Sequence, residues 1–384
     1  MAAAFAVGLV SQPAAADSPS SAVSSVGSAS SGTPLTAQDM SDAIPFPLPM
    51  IDTPPAPLMD ALLRPAQERI GSPGASPGKA PDGAAPQPMS NGTLPPPTID
   101  PSEIVDNGTG IEPQEYGTAL HPYTTARVDN RPGNSSRHFP YAAAGKLYFK
   151  IGGASYVCSG SLIKRGLVVT AAHCVTEFGG NWYSDWGFAP AQYESNTPYT
   201  TWSAIDAYVM SSYKNGTEVC AVPGIVCPND VAVLVLDSKR YQGSWVYPGQ
   251  FTGWLGYGWD GYGFTSQDLT LVNQLGYPVS HDNGYIMQRT DSYGFTDPTL
   301  SNNTVWGGRQ TGGSSGGPEV INLGIRGNLS VAPGTDAAEN TVIGVTSWGY
   351  TDSAIKQQGA SPFTSSNITV LVNAACGAYP DVCN

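Results

Sequence analysis

Ser315 lies in a glycine-rich segment that has the composition expected of a nucleophile loop. Residues 311–318 read Thr-Gly-Gly-Ser-Ser-Gly-Gly-Pro. Glycine allows sharp turns and a close approach of the backbone to a ligand. A serine nucleophile needs both, because the carbonyl that it attacks must lie against backbone N–H groups that hold the developing oxyanion. The amides of Gly313 and Ser315 would be those donors, although the segment by itself is also compatible with a flexible linker.

A nucleophilic serine requires a histidine as general base and a carboxylate that orients the histidine. Of the four histidines, His173 directly follows the largely apolar run 167–172. Such a run predicts a buried strand, with His173 where that strand ends. Asp230 stands at the start of a second apolar run, 231–236. The sequence therefore predicts a catalytic set in the order His173, Asp230, Ser315.

The order of these residues separates two serine hydrolase folds. The segment 313–317 also fits the G-x-S-x-G elbow of α/β-hydrolases, which place the histidine after the serine in the chain. His281 is the last histidine of this sequence, so no histidine follows Ser315. The sequence therefore excludes the α/β-hydrolase arrangement.

Three segments together resemble the signature segments of the chymotrypsin-like serine peptidases. They are Thr-Ala-Ala-His-Cys at 170–174, Asn-Asp-Val-Ala at 229–232 and Gly-Ser-Ser-Gly-Gly-Pro at 313–318. The resemblance covers roughly the last two-thirds of the chain and is closest to the bacterial glutamyl-endopeptidase-like branch. It implies an all-β fold of two antiparallel six-stranded β-barrels, with the active site in the cleft between them.

The resemblance also implies a role for each residue of the site. Ser315 would attack the scissile carbonyl, His173 would carry the proton to the leaving amine, and Asp230 would fix the imidazole. Ser347 is implied to hydrogen-bond to Asp230. Gly349 would leave room for an extended peptide to pair through its backbone, and an ordinary hairpin edge is the alternative for this segment.

The chain departs from the animal digestive enzymes of this family at two positions. Ser314 replaces the aspartate that clamps the freed N-terminus on activation, so that device is absent. Arg309 stands at the position that lies at the floor of the primary specificity pocket in trypsin-type enzymes, so the resemblance implies that this chain cannot select basic side chains. We expect Arg309 to favour an acidic or polar residue before the scissile bond, because a guanidinium binds a carboxylate bidentately; a solvent-facing arginine is the alternative. Thr346 stands where the glutamyl enzymes have a histidine, so the resemblance does not carry their specificity over.

All six cysteines lie in the part of the chain that resembles the peptidases, and six cysteines allow fifteen pairings in principle. The resemblance implies a Cys158–Cys174 disulfide beside the catalytic histidine. Proximity alone favours Cys220–Cys227 and Cys376–Cys383. A metal site is the alternative, but no Cys-x-x-Cys or clustered histidine spacing supports one. We therefore predict no metal and no cofactor.

Composition and the resemblance together divide the chain into four regions, and the two barrel regions are those that the resemblance implies. Residues 1–16 contain an apolar stretch followed by small residues, which predicts an export signal, truncated because its usual positive start is missing. Residues 17–133 are rich in Pro, Ser, Ala and Gly. We expect a disordered leader or pro-region there, because such a segment cannot bury enough apolar surface to offset its chain entropy. A first barrel with His173 and Asp230 is predicted over 134–250, and a second with Ser315 over 251–384.

Strand-like runs separated by turn residues support the two-barrel prediction. One short helix is expected after His173 and another near the C-terminus. The predicted strands are 146–149, 155–157, 167–169, 204–209, 231–236, 269–272, 341–346 and 368–372.

These features predict a secreted serine endopeptidase, made as a zymogen, that acts on peptide or protein substrates. A catalytically inactive secreted binding module with the same barrels is the alternative. The formal net charge of -13 and the lack of a basic run argue against nucleic acid and anionic membrane as partners. No later segment is long and apolar enough to span a bilayer. Disulfides suit an oxidising compartment, so a secreted or periplasmic location is expected.

Overall fold

β-strands are the predominant regular secondary structure in the part of the chain that the structure describes. The structure is a computed structural model and describes residues 20–26, 35–65, 72–81, 92–93, 115–117, 121–128, 135–324 and 338–384. The α-helices in these ranges are short, and none has the length and apolar character needed to cross a membrane. They are α1 (Ala37–Ser41), α2 (Leu58–Leu62), α3 (Ser211–Lys214), α4 (Gly249–Thr252) and α5 (Ile368–Ala378).

The described strands fall into an N-terminal set and a larger set after residue 135. The N-terminal strands are β1 (Ala22–Ser24), β2 (Ile44–Pro45), β3 (Met50–Ile51), β4 (Gly74–Ser76), β5 (Gly92–Thr93), β6 (Glu115–Gly117) and β7 (His121–Arg127). The next ten are β8 (Ala144–Ile151), β9 (Ala154–Lys164), β10 (Leu167–Thr170), β11 (Ser184–Pro190), β12 (Asn196–Thr197), β13 (Trp202–Met210), β14 (Ala232–Leu236), β15 (Lys239–Tyr241), β16 (Ser244–Val246) and β17 (Gly256–Trp259). The last six are β18 (Leu269–Gly276), β19 (Gln288–Asp297), β20 (Asn303–Gly307), β21 (Pro318–Ile321), β22 (Thr341–Tyr350) and β23 (Gln357–Pro362).

Six antiparallel strands close the first barrel. Their order is β13-β11-β8-β9-β10-β14, and β14 pairs with β13 to complete the cylinder. Apolar side chains from all sides fill the interior, among them the fully buried Leu147, Phe188, Val168 and Leu234. Full burial of one such side chain stabilises the fold by about 1.5–3 kcal/mol. Because the barrel is closed, its strands leave no continuous free edge.

Six antiparallel strands also close the second barrel. Their order is β18-β21-β22-β23-β20-β19, and β18 pairs with β19 along eight residues from Leu269 to Gly276. β22 is buried along its whole length. The predicted all-β fold with two six-stranded barrels is therefore confirmed.

The structure contains the three predicted disulfides. Cys158–Cys174 joins β9 to the turn after β10, and Cys220–Cys227 closes a loop that ends shortly before Asp230. Cys376–Cys383 ties α5 to the end of the chain. Disulfides of this kind stabilise a fold mainly by restricting the unfolded chain.

The run 368–372 is a helix and not the predicted strand. Its β-branched residues favour a strand by composition, but α5 buries Ile368, Leu371, Val372 and Ala375, which recur at helical spacing. These four side chains join the hydrophobic cluster that fills the first barrel. The C-terminal helix thus contributes to the first barrel, although the sequence assigned it to the second.

The prediction that residues 17–133 are disordered is wrong for the segments that the structure describes. β1 pairs with β13, and β7 pairs with β19. Leu48, Ile51 and Leu58 are buried, at 7%, 3% and 4% relative exposure. The entropy argument fails because these residues bury their apolar surface against the barrels and not in a core of their own. The export signal predicted at 1–16 lies outside the described residues.

Candidate active site

His173 lies in a short 3-10 turn, Ala172–Cys174, directly after β10. All four residues of β10 are buried, so the strand is fixed in the first barrel. The disulfide between Cys158 and Cys174 ties the turn to β9, with the two Cα atoms 6.3 Å apart. The imidazole is itself buried. Strand and disulfide therefore hold His173 in one orientation at the end of the first barrel.

Asp230 precedes β14 and accepts hydrogen bonds from two residues. The His173 backbone N–H donates to Oδ1 at 2.8 Å, and Oδ2 lies 2.7 Å from His173 Nδ1. The Ser347 hydroxyl donates to Oδ2 at 2.5 Å, which is the contact that the family resemblance implies for Ser347. A carboxylate facing Nδ1 selects the tautomer that carries its proton there, so Nε2 is the basic nitrogen.

Opposing effects set the pKa of Asp230. Burial raises this pKa, whereas the charge of the facing His173 and the hydrogen bonds from His173 and Ser347 lower it, and the net pKa lies below the ordinary value of 3.8. The carboxylate is therefore charged at neutral pH. A charge in this position stabilises the imidazolium that forms when the histidine accepts a proton.

Ser315 lies in the loop between β20 and β21, and both barrels hold that loop. The N–H of Ser159 in β9 donates to the Ser315 carbonyl at 2.7 Å, and the Gly316 N–H donates to the Thr346 carbonyl in β22 at 2.7 Å. Gly316 has φ +77°, and a Cβ atom there would lie 1.9 Å from Thr170 Oγ1. Glycine at 316 therefore lets the loop pass against the end of β10, close to the turn that carries His173.

The reactive atoms of Ser315 and His173 are buried. Within the described ranges, neither Ser315 Oγ nor His173 Nε2 has a hydrogen-bond partner. The structure thus brings His173, Asp230 and Ser347 together but does not form the hydrogen bond between Ser315 and His173. Catalytic hydrogen bonds are often long or poorly aligned before a substrate binds.

The amide of Gly313, one of the two predicted oxyanion donors, bonds to a residue that precedes the first barrel. It donates to the carbonyl oxygen of Phe46 at 3.0 Å. Gly313 has φ +89°, a conformation that glycine adopts without strain. Its own carbonyl accepts a hydrogen bond from Ser159 Oγ at 2.8 Å. The second predicted donor, the amide of Ser315, follows on the same loop.

Gly349 pairs with an extended segment of the same chain, which comes from the region 17–133 that the sequence predicts to be a leader. The Gly349 N–H donates to the Pro49 carbonyl at 2.9 Å, and Gly349 lies opposite Met50 in a parallel pairing of β22 with β3. A Cβ atom at 349 would lie 3.0 Å from Leu48 Cδ2. The absence of a side chain at 349 therefore makes room for this strand.

Arg309 lies in the loop after β20, six residues before Ser315, and is half-buried. Its carbonyl accepts a hydrogen bond from Ser280 Oγ at 3.2 Å. The backbone N–H and carbonyl of Gln310 both bond to the Gln358 side chain, at 3.2 and 2.7 Å. The backbone around Arg309 is thus fixed, and its role in specificity stays a prediction.

Sequence reasoning missed the leader residues in the cleft. The segment 44–51 reads Ile-Pro-Phe-Pro-Leu-Pro-Met-Ile, with proline at every second position from Pro45 to Pro49. Proline fixes its own φ and biases the preceding residue toward an extended conformation. This alternation is a signal for an extended strand that could have been found in a segment otherwise interpreted by composition.

The model of the family described as Trypsin matches residues 131–369. The chain is also 30% identical over 141 residues to the extracellular metalloprotease of Bacillus subtilis (strain 168), a stretch that spans 36% of this chain and 40% of that protein. The chain therefore covers less than half of that relative's length.

Solved structures with a similar course of the chain include two proteases. The protease Anisep from Arthrobacter nicotinovorans is 25% identical with a TM-score of 0.48, and the match covers 62% of this chain and 96% of that one. A Glu endopeptidase in complex with MPD is 19% identical with a TM-score of 0.45, covering 68% and 97%. The family match spans more than half of the chain and includes His173, Asp230 and Ser315, so the chain belongs to the trypsin family of serine endopeptidases.

Proposed function

We propose that this chain is a secreted endopeptidase that cleaves peptide bonds through His173, Asp230 and Ser315 and an acyl-enzyme intermediate. The observation that carries the proposal is the position of the Asp230 carboxylate. Its Oδ2 lies 2.7 Å from His173 Nδ1 and 2.5 Å from Ser347 Oγ. That contact leaves His173 Nε2 as the basic atom of the cleft, and Ser315 is the buried hydroxyl on the adjoining loop.

Acylation begins when Ser315 Oγ attacks the scissile carbonyl carbon. The C–O bond forms as the hydroxyl proton moves to His173 Nε2, and the carbonyl oxygen becomes an oxyanion held by the amides of Gly313 and Ser315. The intermediate then collapses: the C–N bond breaks, and the leaving nitrogen takes the proton from Nε2. Asp230 holds the imidazole throughout and offsets its positive charge.

Deacylation repeats these steps with water in place of the hydroxyl. Water gives a proton to His173 Nε2 as its oxygen attacks the acyl carbon, and the Ser315 oxygen leaves with the proton returned by the imidazolium. The products are a carboxylic acid and the regenerated hydroxyl. A peptide or protein chain is the proposed substrate, because Gly349 presents a backbone donor to which an extended chain can pair.

We expect Arg309 to favour an acidic or polar residue before the scissile bond. A guanidinium that pairs with a substrate carboxylate adds a charge-assisted bond worth about 1.5–3 kcal/mol. Arg309→Ala should therefore lower kcat/KM about tenfold or more for such substrates. Arg240→Ala on an exposed strand is the matched control. A peptide-library profile measures the effect, and a profile without acidic preference or without change in Arg309→Ala contradicts this role.

A metal-dependent mechanism does not fit the donor groups of the described residues. The clusters with metal-ligand proximity are Cys158, His173 and Cys174, and Glu218, Cys220 and Cys227. In both clusters the cysteines are disulfide-bonded, so no thiolate is available as a ligand. No step of the proposed reaction therefore involves a metal, although the Bacillus relative bears the name of a metalloprotease.

A location outside the cytoplasm is also proposed. The three disulfides support it, because disulfides persist in oxidising compartments such as the periplasm and the extracellular medium. Secretion of the full chain, followed by mass spectrometry of the protein in the medium, tests this part of the proposal. Retention inside the cell would contradict it.

Fluorophosphonate labelling tests the catalytic proposal, since the reagent reacts only with an activated serine. Protein recovered after expression of the full chain is labelled, and peptide mapping locates the modified residue. We expect label on Ser315, none in Ser315→Ala, unchanged label in the exposed-surface control Ser353→Ala, and no effect of EDTA. If no form of the chain is labelled, the protein is the inactive binding module. Loss of labelling with EDTA would point to a metal-dependent site.

A further inference from the structure

Part of the leader crosses the active-site cleft. We call residues 44–51 the cleft segment. Its first strand, β2, pairs with β9 of the first barrel, with Ile44 opposite Tyr156. Its second strand, β3, pairs with β22 of the second barrel, with Met50 opposite Gly349. Both pairings are parallel, so the direction of the segment is defined at both ends.

Phe46 occupies the reaction centre. Its carbonyl oxygen accepts the hydrogen bond from the Gly313 amide at 3.0 Å, in the place proposed for the oxyanion. Its ring stacks on the His173 imidazole, with centroids 6.1 Å apart and an angle of 22° between the planes. The same ring contacts Phe149 and Tyr156, each at a centroid distance of 5.4 Å. One residue thus covers the base and fills the predicted oxyanion site.

We propose that the cleft segment is a built-in inhibitor of this peptidase, bound in the direction opposite to that of a substrate. The inference rests on the proposed function, because it names what blocks the same site before the leader is removed. The segment excludes substrate while presenting no bond that the site can cleave.

The direction follows from the position of His173. β9 lies on the His173 side of the cleft, because the Cys158–Cys174 disulfide joins β9 to the turn that carries His173. Phe46 shows the same, since its N–H donates to the Val157 carbonyl of β9 at 2.8 Å and its ring stacks on the imidazole. A cleavable bond must turn its leaving nitrogen toward His173 Nε2. The leaving half of a substrate then runs along β9 and its acyl half along β22.

The cleft segment runs the other way, with its N-terminal half on β9 and its C-terminal half on β22. The peptide bond from Phe46 to Pro47 therefore leads toward β22. The Pro47 Cα lies beside the Ser315 loop, 3.5 Å from the position that a Cβ atom on Gly312 would take. The leaving nitrogen of Pro47 faces away from the base. Without a proton donor for that nitrogen, attack on Phe46 reverses and the bond survives.

The prolines match this way of binding. Outside its strand pairings, the backbone hydrogen bonds of the segment use the Phe46 N–H and the carbonyls of Phe46, Pro49 and Ile51. Proline lacks an N–H but keeps its carbonyl, so prolines at 45, 47 and 49 lose none of these bonds. Their fixed φ also lowers the entropy lost when the segment binds, which is how a preorganised ligand gains affinity.

The test compares labelling rates of full-length chains. Fluorophosphonate is added to freshly purified protein, and intact-mass spectrometry scores label on chains that keep the leader and on shorter forms separately. We expect slow labelling of the full-length wild type. Phe46→Ala should label about tenfold faster or more, because it removes the half-buried aromatic anchor that stacks on His173. Leu63→Ala, on an exposed leader residue, is the control and should label like the wild type.

The outcomes separate the inhibitor proposal from the catalytic proposal. If the full-length wild type is labelled as fast as Phe46→Ala and as the shorter forms, the segment does not inhibit and the catalytic proposal stands. If no form is labelled, the catalytic proposal fails.

Should Phe46→Ala misfold, the synthetic peptide Ile-Pro-Phe-Pro-Leu-Pro-Met-Ile, added to the shorter form, must slow labelling and stay intact. Failure to slow it, or cleavage of the peptide, overturns the proposal.

Disulfide trapping tests the direction. In a Ser315→Ala chain, Met50→Cys with Gly349→Cys should form a disulfide, because a Cβ atom at 349 would lie 3.4 Å from Met50 Sδ. Ile44→Cys with Gly349→Cys should not, because Ile44 lies at the β9 end. The opposite pattern, with trapping at 44 and none at 50, would mean that the segment runs like a substrate.

Discussion

The carboxylate of Asp230 connects His173, the proposed general base, to the second barrel. It accepts from the backbone and imidazole of His173 and from Ser347 of β22. The N–H of Asp230 in turn donates to Ser361 of β23 at 3.1 Å. A charge this deeply buried is stable only when hydrogen bonds compensate its lost hydration. The same contacts that lower the pKa of Asp230 therefore fix the orientation of the base.

Asp230→Asn should lower kcat about ten thousandfold with little change in fold. The asparagine amide would donate to His173 Nδ1 and select the tautomer with a proton on Nε2, which cannot accept the proton of Ser315. Kinetics on a peptide substrate measure the loss, and circular dichroism checks the fold. Asp237→Asn at the exposed far end of β14 is the matched control. An unchanged kcat in Asp230→Asn would remove this residue from the mechanism.

Glu319 in β21 is a buried acid outside the catalytic set. Within the described chain, neither of its carboxyl oxygens has a hydrogen-bond partner, and burial raises its pKa well above 4.5. Its Oε2 lies 3.0 Å from the position of a Cβ atom on Gly344, so a glycine there makes room for the carboxyl group. The folded protein keeps the Glu319 proton at a pH where the unfolded chain has lost it.

The free energy of unfolding should therefore fall as pH rises through the range above 4.5 in which only the folded state binds this proton. The slope from one group is about 1.4 kcal/mol per pH unit. Glu319→Gln cannot lose a proton in the unfolded state, so its stability relative to the wild type should increase from pH 5 to pH 7. Urea unfolding at both pH values measures this. Exposed Glu339→Gln is the control, and parallel pH profiles of wild type and Glu319→Gln would contradict the prediction.

The proposed catalytic residues were accessible from the sequence because each sits beside a recognisable local pattern. His173 follows an apolar strand, Asp230 precedes one, and Ser315 lies among glycines. Ser159 and Ser361 were not accessible, because they act through hydrogen bonds to residues distant in the chain. A serine in a buried strand has no local signature that separates this role from ordinary packing.

At the scale of elements, short apolar runs predicted seven of the twelve barrel strands and missed β11, β19, β20, β21 and β23. Two other failures have identifiable causes. A short helix near the C-terminus was expected, but the first residues of α5 were predicted as a strand, because β-branched composition outweighed a helical burial pattern that becomes visible only against the first barrel. β2 and β3 were missed because each strand has only two residues, and the proline alternation around them was interpreted by composition alone. In both cases the partner surface, and not local preference, decides the structure.

The packing of α5 predicts a destabilised variant. Leu371 is fully buried against the first barrel, so Leu371→Ala leaves a cavity and should lower the free energy of unfolding by about 2–5 kcal/mol. Urea denaturation measures the change. Asn373→Ala on the exposed face of the same helix is the control. Equal midpoints for the two variants would show that α5 does not support the barrel.

At the scale of the whole molecule, the cleft segment connects the two barrels from outside. It pairs with β9 at one end and β22 at the other, while Ser159 and Thr346 hold the Ser315 loop between the same two strands. A ligand that binds only the folded state raises its stability by mass action. The segment is such a ligand, supplied at high effective concentration by the same chain. Its removal would then activate and destabilise the protein together.

We therefore expect the cleft segment to raise the melting temperature of the full chain. In a Ser315→Ala background, which prevents self-cleavage, Phe46→Ala should lower Tm by several degrees, since about 1 kcal/mol corresponds to 2–4 °C in a domain of this size. Differential scanning calorimetry measures the shift, and Leu63→Ala is the control. In a chain that keeps Ser315, the same Phe46 substitution is predicted to speed the labelling of Ser315 by the fluorophosphonate. Faster labelling without a fall in Tm would mean that the segment covers the site without joining the barrels.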